Sequence, residues 1–490
     1  MTELLKRLWK KVGNGTGQKI FSRPARKDIS GRYDAAETTG ENHQHWRLSD
    51  SLSADAAGSR DVRRTLRNRS RYEISNNSYA KGVVEMLAND TIGTGARLQV
   101  LTDDEDFNEE LEESFSEWSD IVKLTGKLRL MRIARCQDGE TFGILTNNPK
   151  SEHSVQLDLQ VIEADRVTGE SGDIHDGIRY DEWGNPVKYR VLKYHPGGTE
   201  FAVEEEAMEV DAENMLHLFR PDRPEQHRGI PELSAALPLF AQLRRYNLSV
   251  LSAAEAAADF SAILYTDTPP DGQTQIVEPM DSVPLERNMM LTVPAGWKME
   301  QLEAKHPTSG HSEFVKIILS EIARCTVSTY GAVSGDYSGH NYASGRLDNQ
   351  LYHKSIVVDR RTWETEVLDR IFRKWYREYT LLHPGMPWKP PRHTWFWDGF
   401  MHVDPTKEAA AQRMRLNNHT TTLAAECARD GQDYMSVLRQ RAKELRLMKE
   451  LGLSSENKGG DSEKETELKN TEHGENESQN ECTEENNTGE

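Results

Sequence analysis

Ser334, in "GAVSGD", stands one step from the Gly-x-Ser-x-Gly elbow that exposes a serine nucleophile. That elbow needs a strand leading into it, and Ile317 to Val327 has helical apolar spacing instead. "GNGTGQK", Gly13 to Lys19, is glycine-rich like a phosphate cradle. It lacks the Gly-Lys-Ser/Thr order and follows a basic helical segment where a strand is required, so a flexible arm is the plainer reading. His43 and His45 in "HQH" could begin a metal site but have no third ligand nearby, and a surface loop is expected. Asp103, Asp104, Glu105 and Asp106 form an acidic run, whereas two-metal chemistry takes carboxylates converging from separate elements. No catalytic constellation emerges from spacing, and no cofactor or metal is implied.

One further stretch invites chemistry. "GDYSGHNYASGR", Gly335 to Arg346, is small, polar and aromatic and interrupts two segments that both read as helix. A nucleophile, a phosphate cradle and a plain connector all fit its composition.

The elements around these motifs are read from periodicity. "SRDVRRTLRNRSRYEISNNSYAKGVVEMLANDTIGTG" predicts two helices broken at Asn76-Asn77 and ending at Gly93 and Gly95. Between Arg97 and Tyr180, short strands ("ARLQVL", "TFGILTN", "LDLQVIEADRV") mix with helices such as "NEELEESFSEWSDI". "GIRYDEWGNPVKYRVLKY" alternates on both sides of Trp183–Pro186 and predicts a hairpin turning on Gly-Asn. A Pro- and charge-rich connector, Arg220 to Ser234, precedes a helix with Leu239, Leu243, Tyr246 and Val250 on one face and Pro238 in its first turn. Strands follow near Met289–Val293 and Trp297–Leu302, then a helix over Ser312–Tyr330. A long helix with Leu368, Phe372, Trp375, Tyr379 and Leu382 on one face comes next, and a helical pair, Pro405–Ala428 and Tyr434–Leu451, closes the folded part.

Bulk properties bound the class. The chain has 490 residues, 36% of them hydrophobic, and a mean hydropathy of −0.75, which suits an extended or ring-forming protein with much surface per core. It has no apolar run long enough to span a membrane, and its N-terminus lacks the apolar region of a secretory signal. The four cysteines are scattered without CxxC spacing, which points to a reducing compartment. From Ser455 to Glu490, 12 acidic residues face 3 lysines, about half of the net charge of −19, and that tail is expected to be disordered. The first residues are basic, as is the run Arg60, Arg63, Arg64, Arg67, Arg69 and Arg71.

Taken in order, these segments resemble the lambda family of bacteriophage portal proteins. The resemblance is carried by "RYDAAETTGENHQHW", "SLSADAAGSRDVRRTLRNRSRYEISNNSYAKGVVEMLANDTIGTGARLQV", "GETFGIL", "QVIEADRV", "GIRYDEWGNPVKYRV" and "HLFRPDRPEQHRGIPELS". It continues through "YASGRLDNQLYHKSI", "HTWFWDGFMHVDPTKEAAAQ" and "KELRLMKELGL", and so runs from about Arg32 to Leu453.

The resemblance implies an α+β portal-type fold with a mixed α/β wing, a helical stem, a small α/β clip and a helical crown, assembled as a ring. On that analogy residues 1–31 are a basic arm, 32–229 wing, 230–260 a stem helix, 261–309 clip and 310–330 a second stem helix. Residues 331–345 are then a channel loop, 346–390 a long helix returning to the wing, 391–453 crown and 454–490 the acidic tail. The implied partners are other copies of the chain in a dodecamer, the terminase large subunit, major capsid and scaffold proteins, a head–tail adaptor and double-stranded DNA passing through the channel, with no membrane. The implied location is the portal vertex of the capsid, reached from the host bacterial cytoplasm during assembly.

The resemblance also gives the opening loop a role, because portals place a DNA-facing loop in this slot. Asp336, Tyr337, Ser338, His340, Asn341, Tyr342 and Arg346 are the residues expected there. Lys or Arg repeated around a ring would clamp DNA, whereas Tyr, Ser and Asn touch a backbone without pinning it. The arginines Arg60, Arg63, Arg64 and Arg67 are expected to contact a capsid protein or the next subunit ahead of DNA. Trp395 and Trp397 are expected in the core or a subunit contact, since duplex DNA offers no unstacked bases. The competing readings are a packaging nuclease or ATPase, which would need a Walker lysine that is absent, and a non-channel scaffold or tail adaptor.

Overall fold

In a computed structural model of the chain, the residues described are 39–40, 43–169, 174–198, 206–259, 263–266, 297–300, 308–339, 341–400 and 405–453. The basic arm, the acidic tail and the strand expected at Met289–Val293 lie outside them. The chain divides into two units, residues 1–57 and 58–490. In the first, one helical turn is described, Ala54–Ala57.

The second unit opens with α1 (Arg60–Asn76) and α2 (Ser78–Ile92). They part at Asn77, whose side chain accepts from the N–H groups of Tyr79 at 3.0 Å and Ala80 at 3.4 Å and so caps α2. Next come β1 (Arg97–Val100), α3 (Glu105–Ile121), α4 (Leu124–Asp138), β2 (Glu140–Asn147) and β3 (Leu157–Ile162). The strands β4 (Ile174–His175), β5 (Ile178–Tyr180), β6 (Pro186–Leu192), β7 (Ala207–Asp211) and β8 (Met215–Phe219) follow. Then come α5 (Leu237–Asp259), β9 (Ile263–Thr266), β10 (Trp297–Glu300), α6 (Thr308–Cys325), α7 (Tyr330–Ser334) and α8 (Tyr342–Trp363). A π-helical turn, Glu364–Leu368, joins α8 to α9 (Asp369–Leu382), which is followed by β11 (His393–Phe396), α10 (Pro405–Asn417), α11 (Leu423–Arg429) and α12 (Tyr434–Glu450).

All strand pairs among the described residues are antiparallel. One sheet has the order β3-β2-β8, another β4-β5-β6-β7, and β1–β11 and β9–β10 form separate pairs. Strand β2 is buried on both faces, so alternate side chains enter different cores. Phe142 and Ile144 join Val167 and, from the second sheet, Ile178, Tyr189 and Val191. Leu145 faces the other way, into a core of α3, α4 and α9, and Gly143 leaves room there that a Cβ, 2.7 Å from Leu159 Cδ1, would fill.

That second core is aromatic. The Phe115 ring lies 5.2 Å from Trp375, 5.7 Å from Phe372 and 5.7 Å from Trp395, and Trp118 donates its indole N–H to the Leu157 carbonyl at 2.8 Å. A third core packs α2 against α5, α6, Val333 and α8 through Leu87, Leu237, Phe240, Ile322 and Ile356.

Several expected boundaries move. The helix expected over Ser312–Tyr330 stops at Cys325, because Val327 turns left-handed at φ +54° and the Ser328 N–H reaches back to the Ala323 carbonyl at 2.9 Å. The Thr326 and Ser328 hydroxyls bond the Ile322 and Ala323 carbonyls at the helix end, side-chain to backbone bonds that compete with its continuation. The expected loop at 331–345 is shortened at both ends by α7 and α8. Leu382, expected on one face with Phe372, Trp375 and Tyr379, is 47% exposed while those three are buried. Within the segment 391–453 expected as crown, β11 pairs with β1 from Arg97↔Phe396 to Val100↔His393. The helix expected over Pro405–Ala428 breaks into α10 and α11 at His419, which sits at φ +56°.

Candidate channel loop and interface residues

The loop between α7 and α8 is shaped by local capping. Thr329 caps α7 through its side chain on the Ala332 N–H, and Gly335, at φ +71°, ends it. Asp336 accepts the Ser338 N–H at 2.9 Å, and hydrogen bonds from Ser338 hold its carboxyl below the usual range. Asn341 and Ser344 form a reciprocal capping box at the start of α8, with bonds of 2.9 and 3.0 Å. Asp336, Tyr337, Ser338, Asn341 and Arg346 are all exposed, Tyr337 at 61%. His340 and the side chain of Tyr342 lie outside what is described. Among the described residues from 335 to 341, Asp336 is the only charged one, and its carboxylate is engaged by its own turn.

The arginine helix departs from expectation. Arg60, Arg63, Arg64 and Arg67 share one face of α1 by spacing, yet only Arg60 and Arg64 are exposed. Arg63 and Arg67 are each 5% exposed and are committed within the chain, so they are not surface contacts. Arg63 pairs with Asp176, while Arg67 reaches Asp165 at 2.8 Å and Glu140 at 3.2 Å. Arg71 grips Asp138 with two bonds of 2.8 Å. Trp395 and Trp397, each 7% exposed, belong to the aromatic core, with their indole N–H groups on Asp369 and Glu364, both at 2.8 Å. They too are unavailable as contacts.

Glu140 is the centre of this polar cluster. It takes Arg228 in parallel, the His217 ring at 3.2 Å and the Gly229 N–H at 3.1 Å. Burial raises its carboxyl, but Arg228 and the hydrogen bonds from His217 and Arg228 outweigh that and hold it well below the usual range. Burial holds His217 below its ordinary value, against the pull of Glu140. The approach depends on two glycines: a Cβ on Gly229 would lie 2.1 Å from the Gly139 carbonyl oxygen, and one on Gly139 2.3 Å from the Ile230 carbonyl carbon.

A second buried cluster was not signalled by spacing. Arg132 and Arg135 of α4 both bond Glu232, at 3.1 and 3.0 Å, and both form ion pairs with Asp359 of α8, at 3.1 and 2.7 Å. It ties the loop-bearing helix α8 to the entry of α5. Burial raises the Glu232 carboxyl, but Arg132 and Arg135 bring it down to about 2. Nothing in spacing picks out the acids, which lie 97 and 224 residues from Arg135.

The candidate chemistry reduces to local structure. Ser334 Oγ bonds the Tyr330 carbonyl at 2.8 Å and accepts the Asp336 N–H. Asp104 caps α3 by accepting the Phe107 N–H at 3.1 Å, and Glu105 and Asp106 fill its first turn, where the helix dipole favours acids. His43 and His45 are exposed. Glu163, Asp165 and His195 approach within 4.8 Å of one another, but Asp165 already carries Arg67 at 2.8 Å and Arg71 at 2.7 Å, and two guanidinium groups there disfavour a metal cation. Among the described residues, no helix is long and apolar enough to cross a membrane.

What the described residues define is a structural α+β scaffold held by aromatic cores and buried ion clusters. The sequence profile of the phage portal proteins of the lambda family matches residues 39–356, and the chain belongs to that family. It is 26% identical over 494 aligned residues to a probable portal protein of Halomonas phage phiHAP-1, across 91% of this chain and 92% of the relative. Among solved structures it is similar to a chain of the virion of a native gene transfer agent particle, at 14% identity and TM-score 0.44, over 76% of this chain and 94% of that one. It is also similar to an HK97-family phage portal protein from Corynebacterium diphtheriae, at 11% identity and TM-score 0.29, over 56% of this chain and 82% of that one. The chain is thus a portal protein, the head–tail connector of a phage virion, in a family of structural proteins.

Proposed function

We propose that the chain closes into a dodecameric ring at one capsid vertex, through which double-stranded DNA is packaged by a terminase and later ejected. In this reading residues 58–229 and 364–400 form the wing, α5 and α6 the stem, β9 and β10 part of the clip, and 405–453 the crown. The loop 335–341 faces the DNA. Major capsid and scaffold proteins surround the ring, and a head–tail adaptor attaches below it; assembly proceeds in the host cytoplasm before the protein resides in the virion.

The observation that carries the channel role is the loop itself. It exposes Tyr337, Ser338 and Asn341 between helices anchored in one core, and its one described charge is engaged by its own turn. A surface of this kind meets phosphates without neutralising them, so DNA can slide. Arg346, one turn into α8, and Arg60 and Arg64 on α1 remain exposed for contacts with DNA or with other proteins.

Electron microscopy of the purified protein, with class averages along the ring axis, tests the reading. Closed rings with a central hole and twelvefold symmetry are expected. Monomers at every concentration, both alone and on isolated capsids, would refute it.

A further inference from the structure

The β5–β6 hairpin carries an indole where no core claims it. Trp183 is 74% exposed at the tip, with Val187 next to it at 42%. The turn beneath is braced. Asp181 Oδ1 accepts the N–H groups of Trp183 at 2.9 Å and Asn185 at 2.7 Å, and Oδ2 accepts the Asn185 side chain at 3.0 Å. The backbone closes with Gly184 N–H on the Asp181 carbonyl at 3.1 Å, Gly184 taking φ +82°. A large aromatic on a rigid turn loses little freedom on docking, which is the character of an interface anchor. Glu182, beside it, is exposed and has no ion pair among the described residues.

A matching surface lies between α1 and α5. A groove of about 520 Å³ is lined by Leu66, Tyr72, Leu237, Pro238 and Ala241, with Arg69 beside them. Its volume falls within the roughly 300–1,000 Å³ of sites that enclose ligands of drug size. The acid in it, Glu73, is neutralised by Arg244, whose guanidinium also lies over the Tyr72 ring at 5.2 Å. Arg69 is exposed and has no ion pair among the described residues. The groove is therefore apolar with one uncompensated cation, and the hairpin tip is an indole flanked by two carboxylates without ion pairs among the described residues, Glu182 and the turn-bracing Asp181.

We propose that Trp183 of one subunit docks in the α1–α5 groove of a neighbouring copy, with Glu182 meeting Arg69. Anchor and groove are different surfaces, so the contact is heterologous, the type that generates rings when its rotation closes. This inference rests on the ring reading above and names one contact that would hold the ring.

The test measures assembly of the full chain against concentration by mass photometry. Trp183→Ala is expected to raise the concentration for half-assembly at least tenfold, while the circular dichroism spectrum and the melting temperature of the monomer, measured below the assembly concentration, stay unchanged, since the side chain supports no core. Glu182→Arg and Arg69→Glu are each expected to weaken assembly, and their combination in one chain to restore most of it. Rings that form at unchanged concentration in Trp183→Ala overturn this contact and leave the ring reading standing. Intact rings from Trp183→Ala that fail to enter capsids would assign the hairpin to a capsid partner and also overturn it. A wild-type chain that stays monomeric at every concentration and on capsids refutes the ring reading, and the contact with it.

Discussion

Arg228 and Glu140 meet in parallel, Nε to Oε2 at 2.8 Å and Nη2 to Oε1 at 2.7 Å, with side chains 5% and 0% exposed. This bidentate pair fastens the connector before α5 to the first residue of β2. Arg67, His217 and the Gly229 N–H bond the same carboxylate, so its charge is shared by four partners.

Glu140→Gln is therefore expected to leave guanidinium charge buried without its counterion and to destabilise the fold by about 3–5 kcal/mol, read from urea unfolding. Arg64→Ala, which removes an exposed pair with Asp61, is the contrasting variant and is expected to change stability by less than about 1 kcal/mol.

Acid should unfold the protein in a defined window. Glu140 and Glu232 have folded values below their unfolded ones, so their contribution is present above about pH 4.5 and is lost as pH falls, for Glu232 down to about 2. His217, lowered by burial, adds in the same direction, because the unfolded ring takes a proton near its ordinary value of 6.5 before the folded one does. Urea midpoints are expected to fall a little as pH drops through 6.5 and more steeply from pH 4.5 towards pH 2. Glu232→Gln should start lower and lose less across the acid end.

Arg360 joins three pieces of chain. It donates to the carbonyls of Thr91 at 3.1 Å, Asp90 at 2.9 Å and Asp398 at 2.8 Å, and its guanidinium lies 5.3 Å from the Trp397 ring. Arg360→Ala is expected to cost about 3 kcal/mol by stranding buried acceptors. Hydrogen exchange should rise at 393–400 and at the end of α2 before it rises in the β2–β3 ladder.

Trp375 is fully buried against Phe115 and stacks on Tyr379 at 4.8 Å. Trp375→Ala should cost about 3–5 kcal/mol, and Trp375→Phe less, measured by denaturant midpoint.

The channel reading makes a charge prediction. Ser338→Lys with Gly339→Lys places two cations per subunit on the exposed loop. Rings should form as before, while DNA packaging in vitro should slow severalfold at low salt and recover as salt rises. Unchanged packaging at low salt would show that the loop does not meet DNA.

The elements were largely legible from local rules. The break at Asn76-Asn77 and the alternation on both sides of Trp183–Pro186 each act within a few residues, so spacing alone located them. Apolar periodicity likewise placed Phe372, Trp375 and Tyr379 on one face of α9. The order of segments was enough to point to the portal family.

What spacing could not supply was the fate of charge. Arg60, Arg63, Arg64 and Arg67 look alike along the chain, but Arg63 meets Asp176 113 residues on and Arg67 meets Glu140 73 residues on, while Arg60 and Arg64 stay in solvent. Trp395 and Trp397 read equally well as contacts until β11 pairs with β1 and turns them inward. Helix and strand periods are set by backbone geometry, which local sequence controls. Whether a polar face is solvated or buried is set by which distant acid the packed chain brings within hydrogen-bond range, and only the tertiary structure decides that.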